Sequence, residues 1–181
     1  MEYMFYVPIF HYKVNDWDNK KKNLLEFWDL EKENCTEEDL VRHNFDKDNS
    51  ELDVLVQNTF FEEVSRFLNE IGRSECEFLG SWFENSMQNG YHGIHNHGPL
   101  GYSAVCYLKY DETVHTPTKF YSPFNSFITG SVLEYVPENA TEGSILFFPS
   151  NIPHCTEPNT SEIERLVVSF NVAIEKVTMP L

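Results

Sequence analysis

Apolar residues recur along the chain in two rhythms, and the change from one to the other falls near residue 75. Residues 3–14 read as a strand running into a turn. Residues 17–32 carry apolar groups near helical spacing, which predicts an amphipathic helix. Residues 33–58 are polar and irregular, with room for short helical turns. Thr59 and Glu62 form a capping-box pattern ahead of Phe60, Val64, Phe67, Leu68 and Ile71, a helical stripe that stops at Gly72. Beyond residue 75 the rhythm shortens to period two. Apolar or alternating runs at 76–84, 102–110, 118–121, 131–136, 144–148 and 165–174 are separated by Gly, Pro, Asn and Ser, the pattern of a strand-rich sandwich or barrel. The expected organisation is one domain over 1–181, with a helical part (1–75) packed on a β core (76–175).

Composition narrows the classes. With 41% hydrophobic and 15% aromatic residues the chain can bury a core. Its formal net charge of -16 repels phosphate backbones and anionic lipid, so neither nucleic acid nor membrane is an expected partner. The start of the sequence has no basic segment leading into a long apolar one, and no run approaches a membrane span, so a cytoplasmic protein is expected. Cys35, Cys76, Cys106 and Cys155 form no C-x-x-C pair and are expected to be reduced and mostly buried.

Three of the seven histidines, His92, His95 and His97, lie within six residues. On extended backbone, side chains two apart share a face, so His95 and His97 can chelate one metal ion. His154 supplies a third ligand, standing after the apolar run 145–148 and a proline-bounded turn. Three protein ligands leave positions open for substrate, as in a catalytic rather than a structural metal site. His11, His43 and His115 fit no such pattern.

Arg165 is the sole arginine after residue 73 and begins the strand-like run 165–172. Arg165, Val167 and Ser169 share one face of that strand. A guanidinium inside a barrel needs an anionic partner, and a dicarboxylate ligand provides one through paired hydrogen bonds. Ser169 and Tyr107 are placed beside Arg165 in this role. Trp82, Asn85, His92 and Tyr102 are candidates to line a substrate pocket, and no catalytic residue is expected beyond the metal ligands.

Residues 95–108 (HNHGPLGYSAVCYL), 142–154 (EGSILFFPSNIPH) and 164–172 (ERLVVSFNV) together resemble the 2-oxoglutarate- and Fe(II)-dependent oxygenases of bacteria and bacteriophages, over roughly residues 80–174. The resemblance implies an α+β, mainly β protein with a double-stranded β-helix (jelly-roll, cupin-like) core and N-terminal helices packed against it. It implies Fe(II) at His95 and His154, 2-oxoglutarate held by Arg165, hydroxylation of a substrate with release of succinate and CO2, and a host cytoplasm if the gene is a phage's. The superfamily's first motif is His-x-Asp or His-x-Glu, whereas His97 stands at the carboxylate position here. A neutral imidazole leaves the metal one negative charge short, and His97 is read as a third ligand in preference to a residue behind a bound water.

Two alternatives share the barrel. One is a cupin-type metalloenzyme that does not use 2-oxoglutarate, although the glutamate expected a few residues after H-x-H is missing from Leu100–Ala104. The other is a metal-binding module of the same fold without turnover. A small molecule or a protein side chain is the expected substrate, and the sequence leaves both its identity and the oligomeric state open.

Overall fold

The computed structural model describes residues 7–99 and 101–174. Its elements run in the order β1 (Phe10–Lys13), α1 (Trp17–Glu31), a 3-10 turn (Lys32–Asn34), β2 (Thr36–Glu38), β3 (Val41–His43), α2 (Ser50–Thr59), α3 (Phe61–Glu70) and β4 (Cys76–Ser86). Then follow β5 (His92–His95), β6 (Tyr102–Lys109), β7 (Lys119–Asn125), β8 (Val132–Tyr135), β9 (Ser144–Pro149), β10 (His154–Thr156) and β11 (Arg165–Ile174). A seven-stranded sheet has the order β1-β9-β6-β11-β4-β3-β2, and a four-stranded sheet the order β5-β10-β7-β8. The pairings are antiparallel, as β11 against both β4 and β6 illustrates.

Alternation along the central strands divides the interior into two apolar layers. On β6, β9 and β11, residues such as Cys106, Leu108, Phe147, Val168 and Phe170 face the helices and meet Leu24, Trp28, Leu52, Val56, Phe60 and Phe67. Their neighbours Val105, Tyr107, Leu146, Phe148 and Val167 face the smaller sheet and meet Phe120 and Ile152. With both faces covered, these strands become nearly continuous apolar runs, which is why β6 and β9 lack clean alternation in sequence.

Six strands of the strand-rich half fall on the expected runs, with β11 covering 165–174 and β4 extending to Ser86, whereas the short β5 and β10 were not among those runs. The first strand is Phe10–Lys13, residues 3–6 lying outside the described residues, and α1 matches its expected span to one residue. The N-terminal part departs from expectation in two ways. It is not helical throughout, because β1, β2 and β3 join the large sheet. The capping box is also absent: Thr59 ends α2, and Phe60 bridges to α3 with no side-chain cap. Helix α2 occupies a stretch expected to be irregular, and it buries Leu52, Val56 and Thr59, one face of a helix. The stop is as expected, with Gly72 at φ 70° and the Arg73 amide bonded to Leu68 O at 2.8 Å.

One glycine fixes the loop that carries His97. Gly101 has φ 118°, and a Cβ there would stand 2.4 Å from Val172 O. Its close approach to β11 lets the Ser150 amide bond to Gly101 O and the His97 amide to Ser150 O, at 2.9 and 2.8 Å.

Candidate metal and co-substrate site

His154 opens β10 directly opposite His95, the last residue of β5. The loop pinned by Gly101 brings His97 to the same point. Ligand-capable atoms of His95, His97 and His154 all lie within 4.8 Å of one another, and the His95 and His154 rings are 4.3 Å apart. Each ring is oriented from behind. His95 Nδ1 bonds to Gly93 O at 2.8 Å and His154 Nδ1 to Ile152 O at 2.9 Å. His97 Nδ1 bonds to Asn171 Oδ1 at 3.0 Å and Ser103 Oγ at 2.9 Å, and Ser103 donates on to Asn171 Oδ1 at 2.7 Å. A carbonyl oxygen only accepts, so each Nδ1 carries its proton and each Nε2 keeps a free lone pair, the arrangement a metal requires.

Burial keeps these rings neutral. Desolvation pushes His154 down to about 3 despite the Ile152 carbonyl, and it also lowers His95 and His97. Neutral rings do not repel a cation and need lose no proton to bind it.

Arg165, at the start of β11, is only 2% exposed, yet its Nε, Nη1 and Nη2 have no hydrogen-bond partner among the described residues. Glu84 Oε1 lies 3.9 Å from Nη1, inside ion-pair range but beyond a hydrogen bond. The Tyr107 ring lies under the guanidinium at 5.4 Å. An unpartnered buried guanidinium is costly, and a ligand carboxylate in the recess shared by Arg165, Ser169, Thr118 and the three histidines would remove that cost. These residues therefore fit both groups: three imidazole lone pairs for a divalent metal, and an open cationic fork for a dicarboxylate.

The other predicted residues divide. Ser169 lines the recess, and Trp82 meets His97 edge-to-face at 5.4 Å. His92 stacks on His95 at 3.9 Å and lines an outer cleft of about 520 Å³ with Phe45, Leu79, Trp82 and Asn171. Tyr107 spends its hydroxyl on Thr118 Oγ1 (3.2 Å) and on the Thr118 amide (2.9 Å), so it offers Arg165 its ring face. Asn85 and Tyr102 do not reach the pocket. Asn85 shares the Phe83 face of β4 and donates to Glu164 at 3.0 Å, whereas Tyr102 shares the helix-facing side of β6 and packs on Phe10 and Phe67. Strand parity decides both. Of the histidines assigned no role, His115 is structural, its Nδ1 accepting the Asp111 amide and its Nε2 donating to Ile163 O.

Sequence reasoning missed Glu84 and Asn171. Glu84 is buried, with Oε2 2.9 Å from His92 Nδ1 and Oε1 accepting from Thr156 at 3.0 Å. Burial alone would raise its pKa, but the His92 hydrogen bond and charge, Arg165 and Thr156 outweigh that and hold it at about 2. The signal was present in the alternation of β4, which turns Glu84 inward once Phe83 is assigned to the helix-facing layer.

Residues 80–171, just over half of the chain, match the protein family described as "Putative 2OG-Fe(II) oxygenase". The chain belongs to this family. It is a 2-oxoglutarate/Fe(II)-dependent oxygenase, with Fe(II) as its metal and 2-oxoglutarate as its co-substrate. The match falls on the 2-oxoglutarate-dependent branch of the readings the sequence left open. No curated protein matches the sequence. Solved structures share the fold. A viral collagen prolyl hydroxylase of Paramecium Bursaria Chlorella virus-1, in complex with 2-oxoglutarate, is 15% identical over 92% of this chain and 96% of that one, with a TM-score of 0.59. HygX of Streptomyces hygroscopicus, with nickel, 2-oxoglutarate and hygromycin B bound, is 10% identical over 94% and 84%, at 0.63. A Pseudomonas putida prolyl-4-hydroxylase is 11% identical over 93% and 94%, at 0.58. The double-stranded β-helix architecture of this oxygenase is thus that of its structural neighbours. Among its described residues no helix is long and apolar enough to cross a membrane.

Proposed function

We propose that this oxygenase holds Fe(II) through Nε2 of His95, His97 and His154, and that Arg165, with Ser169 beside it, binds the far carboxylate of 2-oxoglutarate. The observation that carries the reading is the pairing of three converging lone pairs with a buried guanidinium whose nitrogens lack a well-formed hydrogen bond among the described residues. When bound, the metal and co-substrate would supply O2-dependent oxidation: one oxygen atom of O2 would enter a substrate C–H bond and the other would end in the succinate formed as 2-oxoglutarate loses CO2.

The chain's own residues bind, orient and exclude water. Asn171 and Ser103 fix the His97 tautomer, the Tyr107 ring holds the plane of Arg165, and Phe148 packs against His154 on the inner side at 4.8 Å. Substrate enters through the outer cleft, where His92, Trp82, Phe45 and Leu79 surround the approach to the metal. That cleft suits a small molecule or a single protein side chain. The protein's structural neighbours include prolyl hydroxylases and a protein with the small molecule hygromycin B bound. The net charge of -16 disfavours a nucleic-acid substrate.

Anaerobic titration of Fe(II) and then 2-oxoglutarate should give a saturable metal-to-ligand charge-transfer band. Exposure to O2 should then yield succinate. A protein that binds Fe(II) but shows no affinity for 2-oxoglutarate would overturn the reading.

A further inference from the structure

The three metal-facing side chains are all neutral imidazoles, yet the recess they share holds one carboxylate among its described residues, Glu84. Resting on the metal and co-substrate reading above, we propose that Glu84 supplies from outside the coordination sphere the negative charge that His97 does not supply from within it, balancing the site electrostatically while leaving Arg165 free for the co-substrate.

The geometry supports this in three ways. Glu84 is fixed rather than adaptable: Oε2 is bonded to His92 and Oε1 to Thr156, so the carboxylate has two anchors and cannot swing to the metal without losing both. It stands 3.9 Å from Arg165 Nη1, near enough to share its charge but too far to occupy its donors. Its charge is also hardly screened, since Glu84 and Arg165 side chains are 9% and 2% exposed. The remaining ionisable neighbour, His92, donates to Glu84 Oε2 at 2.9 Å and is pulled towards its charged form by that contact, so the charge sum below holds, and the affinities are to be compared, at a pH high enough to leave His92 neutral.

The charges then close. A divalent metal, a doubly charged 2-oxoglutarate and Arg165 together leave one positive charge in a buried site. One ionised Glu84 brings the sum to neutrality, as a carboxylate ligand at position 97 would do. Buried charge that is left uncompensated is expensive, so the location of that negative charge matters less than its presence.

The role predicts opposite signs for two affinities, which a purely structural role does not. Glu84→Gln keeps the size and the Thr156 contact but removes the charge. Anaerobic Co(II) and Fe(II) titrations should show metal binding weakened at least about tenfold, since two unit charges about 12 Å apart at an effective dielectric of about 20 already interact by ~1.4 kcal/mol. 2-Oxoglutarate titrated into the metal-saturated variant should bind more tightly, because a negative charge beside Arg165 has gone. Adding His97→Asp to Glu84→Gln should bring both affinities back to within about threefold of wild type, since the carboxylate returns inside the coordination sphere. His97→Asp alone leaves Glu84 untouched and makes the site one charge too negative, so metal should bind more tightly and 2-oxoglutarate more weakly. Glu84→Asp, which keeps the charge, should stay close to wild type in metal affinity. Loss of both affinities in Glu84→Gln, no change in either, or stronger 2-oxoglutarate binding in His97→Asp would overturn the proposal. All of these outcomes are read against a wild type that binds metal and 2-oxoglutarate; a wild type that binds neither would overturn the metal and co-substrate reading as well.

Discussion

Replacing Arg165 by Met separates a residue that serves the fold from one that serves a ligand. In the ligand-free protein the guanidinium is 2% exposed and its three nitrogens have no partner among the described residues. Each unpaired donor costs on the order of 1–3 kcal/mol, and a flexible apolar side chain of similar length carries no such penalty. Substituting a well-packed apolar residue for a buried ionic group is often neutral or stabilising by about 1–4 kcal/mol. Some of that gain is offset here, because Glu84 loses a cationic neighbour at 3.9 Å while keeping His92 and Thr156. Arg165→Met should therefore unfold in urea, metal-free, within about 1 kcal/mol of wild type or above it. Co-substrate binding should respond in the opposite direction. A paired charge-assisted contact contributes roughly 2–4 kcal/mol, so affinity for 2-oxoglutarate should fall from about thirtyfold to several hundredfold. Thermal melts make the contrast visible. At a hundred times its dissociation constant, 2-oxoglutarate should stabilise the metal-loaded wild type by about 2.7 kcal/mol, an upward shift of roughly 5–10 °C for a chain of this length, and at the same concentration should barely move the variant. A variant that loses several kcal/mol of stability while binding 2-oxoglutarate normally would refute the reasoning, since Arg165 would then be a structural residue with partners of its own.

Further tests address the remaining groups. His95→Ala and His154→Ala should each lose stoichiometric metal by elemental analysis, whereas Arg165→Met should retain it. Asn171→Ala leaves His97 Nδ1 with Ser103 alone; metal affinity should fall about tenfold, the low end for a residue that orients a ligand, with the fold unchanged by circular dichroism. Glu84 gives a pH signature. Its folded pKa of about 2 lies below the ordinary glutamate value of 4.5, so its stabilising contribution is present above about pH 4.5 and is lost as the pH falls towards 2. Wild type should lose more stability across that window than Glu84→Gln when both are measured by urea unfolding, and parallel curves would show that Glu84 is not held in its charged form by the fold.

The elements legible in the sequence were those whose meaning is local. The period-two runs after residue 75 named most of the strands, and Gly72 marked a helix end. The H-x-H pair, the histidine after a proline-bounded turn and the lone downstream arginine carried the site, because each is legible from its own neighbours. What was missed depends on pairing between distant segments. Glu84 and Asn171 acquire roles only through the β4–β11 register and the approach of the His97 loop, neither of which is written within any short window. Asn85 and Tyr102 were misassigned for want of parity: a side chain's neighbours along the chain do not tell which layer it faces until one core residue of its strand is placed. Helix α2 was hidden by the polar stretch that leads into it, although its own Leu52, Leu55 and Val56, all packed on the core, carried the signal.

Two of the ligand histidines sit at or just beyond a sheet edge. β5 is an edge strand of the four-stranded sheet, joined to β10 at only two registered pairs, and His97 follows it on a loop held by single backbone bonds. A metal bridging β5, that loop and β10 therefore acts as a rivet between an edge and the body of the molecule. The linkage is reciprocal: opening of the edge weakens metal binding, and bound metal suppresses that opening in proportion to how tightly it binds. In native-state hydrogen exchange the amides from Gly93 to His97 should therefore slow when metal binds, while those of β11 should change little.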